Sequence, residues 1–433
     1  MATDSGYEYT DLDWSSRQIR LLQLRLQAGD IDSNDMSEID CSLQTFQLAD
    51  SPPFYALSYV WGTDKPAHKI SINKQPFLIR SNLWVALQEL YKHISRPATA
   101  KSREKTISLE QDKLWTIDEI TKKADGQRGR NENGRKVEYL WVDAICINQR
   151  DPLERGHQVD MMRDIFLAAD FVLSWLGLEE HGSERAIEAL IDVAEGRGDN
   201  ICDEALQSIL TLCRRSYFER MWIVQEFILA RSLFVLCGHR IFCWDDLDEV
   251  FLPPGKPYTV GLRLVQDISI RRVMRKIWGD AFEASTLYHL LSSFHGNKCS
   301  DPRDRVYALL GLISSRGGFF EPLAANYEIT TRQLFCRVFR HLRIGIIGEQ
   351  MGDFKRVLRM ALQIPEEDGV LLDAVIWASE DYNPEIIIGG RTYWSLDRLE
   401  LYKLHIEYTA QVDKAIKRFP ELGEELRTSP GEA

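Results

Sequence analysis

The first regular pattern in the chain is an alternation of apolar and polar side chains close to its start. Residues 18–24 alternate in this way, with one slip near the middle, and the alternation predicts a β-strand. Residues 39–49 are expected to form its antiparallel partner across an Asp- and Ser-rich turn. Residues 69–79 predict a further hairpin with Asn73 and Lys74 at its tip. We therefore expect an N-terminal β-hairpin ahead of the main fold.

Four later runs of residues are short and continuously apolar. They are residues 55–61, 139–142, 171–176 and 233–237. Strands that are covered on both faces have this composition, and they occur mainly in parallel sheets. Segments with helical spacing of apolar residues lie between the runs, so strands and helices alternate along the chain. This alternation predicts an α/β fold with a doubly wound, flavodoxin-like and mostly parallel sheet.

Helices are predicted where apolar residues recur at helical spacing behind a suitable first residue. Ser81 suits the start of the first helix, and Pro152 suits the first turn of another. Further helices are expected over residues 183–195, 203–213 and 216–230 and, towards the C-terminus, over residues 301–311, 328–343 and 396–418. The final part of the chain is therefore predicted to be mainly helical.

One stretch interrupts the alternation of strands and helices. Residues 97–138 are expected to form a surface insertion, because their tip at 125–136 is charged, rich in Gly and Asn and without apolar period. A tip of this composition is expected to be disordered. We therefore divide the chain into a β lead-in over residues 1–54, an α/β domain over residues 55–245 that contains the insertion, and a helical region over residues 246–433.

The composition restricts the classes of function. The 433 residues include 53 Lys and Arg against 65 Asp and Glu, which gives a formal net charge of −12. An acidic chain lacks the basic surface of a general nucleic-acid binder, so no nucleic-acid partner is expected. The sequence has no run of about 18 apolar residues, so no membrane span is expected. Its polar, acidic N-terminus has neither secretory nor transit character, and we expect a cytoplasmic protein.

Common cofactor and metal motifs are missing from the sequence. It has neither a G-x-G-x-x-G run after a strand nor a P-loop, and neither H-E-x-x-H nor G-x-S-x-G. Cys237, His239 and Cys243 have a loosely metal-like spacing, but no second ligand pair is close in sequence. We therefore expect reduced structural thiols, no bound metal and no resident cofactor.

Polar residues follow two of the predicted parallel strands, where an open α/β sheet binds its ligands. Trp61 and Gly62 follow the first strand, and Asp143, Asn148 and Gln149 follow the second. These groups are expected to converge on one crevice. Each also has an ordinary structural interpretation, with Trp61 in the core, Asp143 as a helix cap, and the two amides as partners of turn backbone.

The segment over residues 214–226 carries the most chemistry. If it is helical, Trp222 and Glu226 lie one turn apart on the same face. A carboxylate beside an indole is partly desolvated, which raises its proton affinity, and it can hold ribose hydroxyls or stabilise positive charge that develops on a sugar. The alternative is structural: Glu226 pairs with Arg220 or Arg215, and Trp222 packs in the core.

Four segments of this sequence together resemble the signatures of the fungal heterokaryon-incompatibility (HET) domain. They are Tyr55-Ala-Leu-Ser-Tyr-Val-Trp-Gly62, Leu140-Trp-Val-Asp-Ala-Ile-Cys-Ile-Asn-Gln149, Glu154-Arg-Gly-His-Gln-Val-Asp-Met-Met162 and Tyr217-Phe-Glu-Arg-Met-Trp-Ile-Val-Gln-Glu226. Residues 18–24 resemble the usual lead-in strand of the family, and residues 300–312 resemble a segment that often follows the domain. The resemblance extends over residues 15–315, and several long motifs in the right order make it specific.

The resemblance implies a role in fungal allorecognition and regulated cell death, with the domain as an effector. The HET family is considered distantly related to Toll/interleukin-1 receptor (TIR) domains, which are flavodoxin-like, and some of which cleave NAD⁺ at the nicotinamide–ribose bond. Their Trp-x-x-x-Glu pattern is similar to Trp222 and Glu226 here, which implies a catalytic role for Glu226. Asp143, Asn148 and Gln149 fall in the loop that borders the active site and the assembly surface of TIR domains.

From this resemblance only Glu226 inherits a catalytic role, in which it binds the ribose and stabilises an oxocarbenium-like transition state that water captures. We also expect Asp143, in the loop after the second strand, to be catalytic. The expected substrate contacts are Tyr59, Trp61, Gly62, Asn148, Gln149, Arg220, Trp222 and Gln225. NAD⁺ or a related nucleotide enters as substrate and not as cofactor. Two alternatives stay open: a non-enzymatic module that acts through self-association or a HET- or TIR-like partner, and a HET-like fold that acts on another small molecule, for example in a biosynthetic pathway.

Overall fold

The computed structural model describes eleven stretches of the chain. They are residues 6–25, 39–95, 117–127, 138–180, 182–194, 202–247, 262–278, 287–313, 323–341, 349–378 and 410–425. The chain divides into two compact units, Met1–Lys276 and Ile277–Ala433. Every strand of the described sheet lies in the first unit.

The first unit is built on a mixed sheet, which has nine strands among the described residues. The strands are β1 Gln18–Leu24, β2 Asp40–Gln47, β3 Phe54–Tyr59, β4 His68–Ile72, β5 Gln75–Ile79, β6 Tyr139–Trp141, β7 Val172–Trp175, β8 Leu233–Cys237 and β9 Arg240–Cys243. They lie side by side in the order β5-β4-β2-β1-β6-β3-β7-β8-β9. The α/β class predicted from the sequence is confirmed.

The centre and the edges of the sheet differ in strand direction. The neighbours β6, β3, β7 and β8 run parallel, and along the chain they are the second, first, third and fourth of this group. Antiparallel pairs flank them: β1 with β2 and β6, β4 with β5, and β8 with β9. The sheet is therefore mixed, and the prediction of a mostly parallel sheet is wrong. Its edges contain hairpins, and only antiparallel strands can be joined by so short a turn.

Both predicted hairpin pairings are confirmed. β1 pairs with β2 along its whole length. β4 and β5 are joined at Asn73 and Lys74, whose φ angles are 51° and 67°. Two consecutive residues with positive φ are typical of the two-residue turn that matches the twist of a hairpin.

Of the eight described helices that begin in the first unit, the first seven lie between strands along the chain and the last follows β9. They are α1 Ser81–Ser95, α2 Ile117–Gln127, α3 Asp143–Cys146, α4 Pro152–Ala168, α5 Ser183–Ala194, α6 Asp203–Cys213, α7 Ile223–Leu229 and α8 Arg263–Trp278. α4 begins with Pro152 in its first turn, as predicted, and the Asp151 carboxylate accepts hydrogen bonds from the backbone amides of Leu153 and Glu154.

The prediction of one helix over residues 216–230 is wrong. Residues Ser216–Glu219 form a 3₁₀ turn, Arg220 has an extended backbone, and α7 follows. Packing overrides the local helix preference here. The rings of Phe218 and Phe227 meet across the break in an edge-on arrangement, with their centroids 6.4 Å apart. Because of this break, Arg220 lies in an extended segment before α7 and not on the face of a regular helix.

The described part of the second unit is mainly helical, as predicted. It contains α9 Leu287–Phe294, α10 Asp304–Leu310, α11 Thr331–His341, α12 Glu349–Ala361, α13 Gly369–Ala378, a helical stretch over residues 410–418, and α14 Leu422–Glu425. The rest of the helix predicted over residues 396–418 lies outside the described residues. So does most of the predicted insertion at 97–138, including most of its charged tip. None of the described helices is long and apolar enough to cross a bilayer.

Candidate functional site

A buried layer of hydroxyl groups lies between β3 and β7. Ser58 and Ser174 are opposite each other in these two parallel strands, and both are buried. The hydroxyl of Tyr217, from the turn before α7, lies 2.7 Å from each serine hydroxyl. Burial raises the pKa of Tyr217, so its phenol stays protonated. We call these three residues the hydroxyl layer.

Glu226 lies on α7 with its carboxylate against the hydroxyl layer. The Ser58 hydroxyl donates a hydrogen bond to Oε2 of Glu226. The Arg220 guanidinium donates to both carboxylate oxygens, at 3.0 Å and 3.1 Å. Glu226 is 3% exposed, whereas the Arg220 side chain is 13% exposed and borders solvent. The ion pair with Arg220, one of the structural alternatives left open by the sequence, is therefore present.

This ion pair keeps its guanidinium charged. Burial by itself would lower the pKa of Arg220, but Glu226, Tyr217 and Asp143 together outweigh burial, so the pKa lies above its usual value. Removing Arg220 would leave the more deeply buried Glu226 carboxylate without a cation, which is strongly unfavourable. While Arg220 stays in place, both oxygens of Glu226 are occupied.

Asp143 is the second carboxylate near this pair. It is the first residue of α3, and its Oδ2 accepts a 2.8 Å hydrogen bond from the indole Nε1 of Trp61. The backbone amide of Ala144 donates to its Oδ1 at 2.7 Å. Burial raises the pKa of Asp143 to about 6, although Arg220 opposes the rise and Glu226 adds to it. Asp143 therefore exchanges a proton close to neutral pH.

Trp61 and Gly62 belong to the turn that follows β3. Gly62 has a φ of +77°, which favours glycine, and its carbonyl accepts a hydrogen bond from the Arg80 guanidinium. The same guanidinium lies over the Trp61 ring, 5.7 Å from its centroid. A second cation therefore lies beside the hydrogen bond between Trp61 and Asp143.

The other aromatic and amide residues predicted as substrate contacts differ in exposure. Tyr59 is buried, and its pKa is raised mainly by burial and further by Asp143. Trp222 is half-buried directly before α7. Gln225 is buried, and its Oε1 has no hydrogen-bond partner among the described residues. Of these side chains, Trp222 has the most access to solvent.

Asn148 and Gln149 stabilise the loop after α3. The Asn148 side chain accepts a 3.2 Å hydrogen bond from the backbone amide of Arg150, and the Gln149 side chain donates a 2.9 Å hydrogen bond to the backbone carbonyl of Asp143. Both contacts satisfy backbone groups, which is the structural interpretation that the sequence left open. These two residues thereby hold the main chain beside Asp143.

A second buried ion pair supports the same loop. Arg20 on β1 donates to Glu154 on α4 at 2.6 Å and to the backbone carbonyls of Cys146 and Thr10 at 3.1 Å and 2.6 Å. Glu154 in turn accepts a 2.6 Å hydrogen bond from the backbone amide of Asn148. The pair therefore ties the N-terminal segment to the loop that follows Asp143.

The metal-like spacing of residues 237–243 does not produce a ligand set. Cys237 Sγ accepts from Arg215 at 3.4 Å, and His239 lies 3.1 Å from a Glu179 carboxylate oxygen. Within the described stretches of the chain, no group of three or more His, Cys, Asp or Glu side chains could hold a metal ion.

Four residues near the two carboxylates were not predicted from the sequence: Ser58, Ser174 and Tyr217 of the hydroxyl layer, and Arg80 beside Trp61. A signal existed for the two serines, because each interrupts an otherwise apolar run, in Leu57-Ser58-Tyr59 and Leu173-Ser174-Trp175. A polar side chain in a strand covered on both faces needs a hydrogen-bond partner. Tyr217 and Arg80 gave no comparable signal.

Four residues from three distant segments form the centre of the site. Trp61 bonds Asp143, Arg220 bonds Glu226, and the two pairs are close enough for Arg220 and Glu226 both to affect the pKa of Asp143. We call these four residues the site cluster. With two carboxylates, a guanidinium and an indole, it offers groups that bind sugar hydroxyls and anions, and a carboxylate that can accept a proton near neutral pH.

Comparison with known proteins gives one family and one relative. Residues 54–226 match the family model described as heterokaryon incompatibility protein (HET). The chain is 27% identical over 406 residues to heterokaryon incompatibility protein 6, OR allele, of Neurospora crassa. The match covers 79% of this chain and 53% of the relative, so the chain spans about half the length of that protein. No solved structure matches.

The matched residues contain the whole site cluster. They begin with the first residue of β3 and end at Glu226. All four of the HET-like sequence motifs also lie within them. The resemblance to the HET domain inferred from the sequence is therefore confirmed over residues 54–226, which match the family model.

Proposed function

We propose that this chain is a HET-domain effector of fungal incompatibility, and that its site cluster hydrolyses NAD⁺ at the nicotinamide–ribose bond. The observation that carries the proposal is the convergence of three HET motifs on one cluster. Trp61 comes from the first motif, Asp143 from the second, and Arg220 and Glu226 from the last. Packing alone would not require carboxylates and a guanidinium at this meeting point.

The role in incompatibility is supported by similarity. The HET family model covers the site, and the Neurospora crassa relative is named for heterokaryon incompatibility. Because this chain spans about half of that relative, the role is proposed for the chain and not transferred as an established property.

The strand order supports a flavodoxin- or TIR-like arrangement of the central sheet. Its four parallel strands follow the order second, first, third, fourth, which is the order of the first four strands in a flavodoxin-like sheet. In such a sheet the ligand binds beyond the carboxyl ends of the first and third strands, where the strand order reverses. Here these strands are β3 and β7, and the hydroxyl layer and Glu226 lie against them.

The proposed reaction breaks one bond and forms another. The C1′–N bond of NAD⁺ breaks, its electron pair goes to the nicotinamide nitrogen, and positive charge develops on the ribose. Glu226 stabilises that charge, and a water oxygen then bonds C1′. Asp143, with a pKa of about 6, accepts the proton that the water loses. NAD⁺ and water thus give ADP-ribose, nicotinamide and a proton.

One observation favours a second candidate. Glu226 is 3% exposed, and both of its carboxylate oxygens bond Arg220. A carboxylate so enclosed is also what a purely structural ion pair would show. The second candidate is therefore a non-enzymatic HET module that acts through self-association, in which the site cluster holds the domain together.

The test of the proposed function uses purified protein, NAD⁺ and chromatographic detection of nicotinamide. The wild type is expected to release nicotinamide, and Glu226→Gln to release it at least about 100-fold more slowly, because an amide cannot offset a developing positive charge. Glu89→Gln is the matched control, since Glu89 is a nearly buried carboxylate on α1 that pairs with Lys92. Equal release by the wild type and Glu226→Gln, or none by either, would contradict the proposed hydrolysis.

Expression in a fungus separates the two candidates. If hydrolysis is the activity, growth arrest caused by the wild type is lost in Glu226→Gln and kept in Glu89→Gln. If growth arrest persists in a folded Glu226→Gln variant, the non-enzymatic candidate is correct.

A further inference from the structure

The Arg220 guanidinium covers the Glu226 carboxylate by bonding both of its oxygens. We infer that the site takes a phosphate-bearing nucleotide, and that its phosphate draws the Arg220 guanidinium away from Glu226 and so exposes the carboxylate. This inference rests on the proposed function and names its substrate class. It starts from the two hydrogen bonds, at 3.0 Å and 3.1 Å, by which Arg220 occupies both oxygens of Glu226.

Separating this ion pair needs a substitute for each partner. Without Arg220, Glu226 would be a buried charge whose one remaining partner among the described residues is the Ser58 hydroxyl, and Arg220 would lose its bidentate partner. A ligand stabilises the open form when it brings an anion for the guanidinium together with hydroxyls or a positive centre for the carboxylate. A phosphate suits the first purpose, because guanidinium binds phosphate in the same bidentate manner as carboxylate.

The two partners differ in their freedom to move. Glu226 belongs to α7, in which every residue is buried. Arg220 precedes that helix, has an extended backbone, and has a side chain that is 13% exposed. Its guanidinium also donates a 3.4 Å hydrogen bond to the Ser58 hydroxyl and lies 5.8 Å from the Tyr217 ring centroid, so a turn towards solvent exchanges side-chain contacts. Arg220, and not Glu226, is the partner that moves.

A second guanidinium lies close to the proposed phosphate position. Arg80 lies over the Trp61 ring and bonds the Gly62 carbonyl. Arg80 and Arg220 both lower the pKa of the buried Tyr59, so both cations lie within electrostatic range of the residue that ends β3. Two cations beside an indole fit a nucleotide phosphate next to a stacked ring.

The experiment compares nicotinamide mononucleotide with nicotinamide riboside, because the two probes differ only by a phosphate. Binding is measured by tryptophan fluorescence after rapid mixing, and nicotinamide release is followed separately. The wild type is expected to bind the mononucleotide about 30-fold more tightly, the effect of charge-assisted hydrogen bonds to phosphate. In Arg220→Lys, which loses the bidentate contact, the preference falls severalfold.

Two further variants make this comparison independent of folding defects. Arg17→Lys is the control, because Arg17 forms an exposed ion pair with Asp164, and it is expected to keep the full preference. If Arg220→Lys does not fold, Arg80→Lys replaces it and is expected to reduce the same preference.

The outcomes separate this inference from the proposed hydrolysis. Equal affinity for the two probes, or no binding of either, overturns the inference. If both probes also release nicotinamide at the same rate, hydrolysis stands while the phosphate requirement fails. A preference for the mononucleotide without nicotinamide release supports the inference and contradicts hydrolysis.

Discussion

Two buried Glu–Arg pairs in the described part of the first unit differ in their surroundings. Arg20 and Glu154 have side chains that are 2% and 5% exposed, and their additional hydrogen bonds go to backbone atoms. Arg220 and Glu226 have side chains that are 13% and 4% exposed, and Ser58, also bonded to Glu226, contributes a side chain.

We propose that this difference separates a structural pair from a functional one. The Arg20–Glu154 pair bonds the main chain at Thr10, Cys146 and Asn148, in two different segments, so it cannot rearrange without moving the backbone. The Arg220–Glu226 pair and its serine partner can exchange hydrogen bonds while the backbone stays in place. A buried ion pair is therefore a candidate for chemistry when its partners are side chains and one of its members borders solvent.

The largest effect is expected from Glu154→Gln. This substitution leaves Arg20 charged, buried and without an anionic partner, and we expect it to lower the free energy of unfolding by about 3 kcal/mol. Urea unfolding followed by circular dichroism measures the change. A loss below about 1 kcal/mol would show that the Arg20–Glu154 pair does not stabilise the loop, and would contradict its assignment as a structural pair.

Glu226→Gln is expected to cost less stability than Glu154→Gln. The free energy of unfolding should fall by about 1–2 kcal/mol, because the Arg220 guanidinium can turn to solvent once its partner is neutral. The same urea unfolding experiment measures it. A loss equal to that of Glu154→Gln would mean that the two pairs are both structural.

Trp61→Phe tests the link between Trp61 and Asp143. Loss of the indole N–H removes a hydrogen bond that stabilises the carboxylate, so we expect the pKa of Asp143 to rise further and the stability above pH 7 to fall by about 1 kcal/mol. Carbon NMR of labelled aspartate follows the pKa. Trp14→Phe, at an exposed tryptophan, should leave it unchanged.

A further effect, which appears only when stability is compared across pH, is the pH dependence contributed by Asp143. Its pKa is raised from 3.8 to about 6 in the folded chain, so between these values the folded state binds more protons than the unfolded state. The Asp143 contribution to stability therefore falls as pH rises from about 4 to about 6 and is level above that. Thermal unfolding of the wild type and Asp143→Asn across this range measures it. Parallel curves would contradict the shifted pKa.

The sequence predicted the strands well because each has a local signal. β1 and β2 alternate in polarity, the β4–β5 turn has two residues that accept positive φ, and the central strands are short apolar runs. The mixed character of the sheet was not predicted. The hairpins β1–β2 and β4–β5 lie in the same sheet as the parallel strands, and the local sequence pattern does not show which strand each hairpin pairs with.

The site was predicted only in part, for a physical reason. Trp61, Asp143 and Glu226 were predicted from strand ends and helical spacing, which are local. The break at Arg220 was missed because it depends on aromatic packing between residues on either side of it. The Arg20–Glu154 pair was also missed, because its members lie 134 residues apart.

The most direct test measures nicotinamide release and unfolding free energy on the same preparations of Glu226→Gln and Glu154→Gln. We expect opposite losses. Glu226→Gln loses nicotinamide release and keeps most of its unfolding free energy, whereas Glu154→Gln loses unfolding free energy and keeps its nicotinamide release per folded molecule. If release in both variants falls only in proportion to the folded fraction, the Arg220–Glu226 pair is structural and the assignment of the site is wrong.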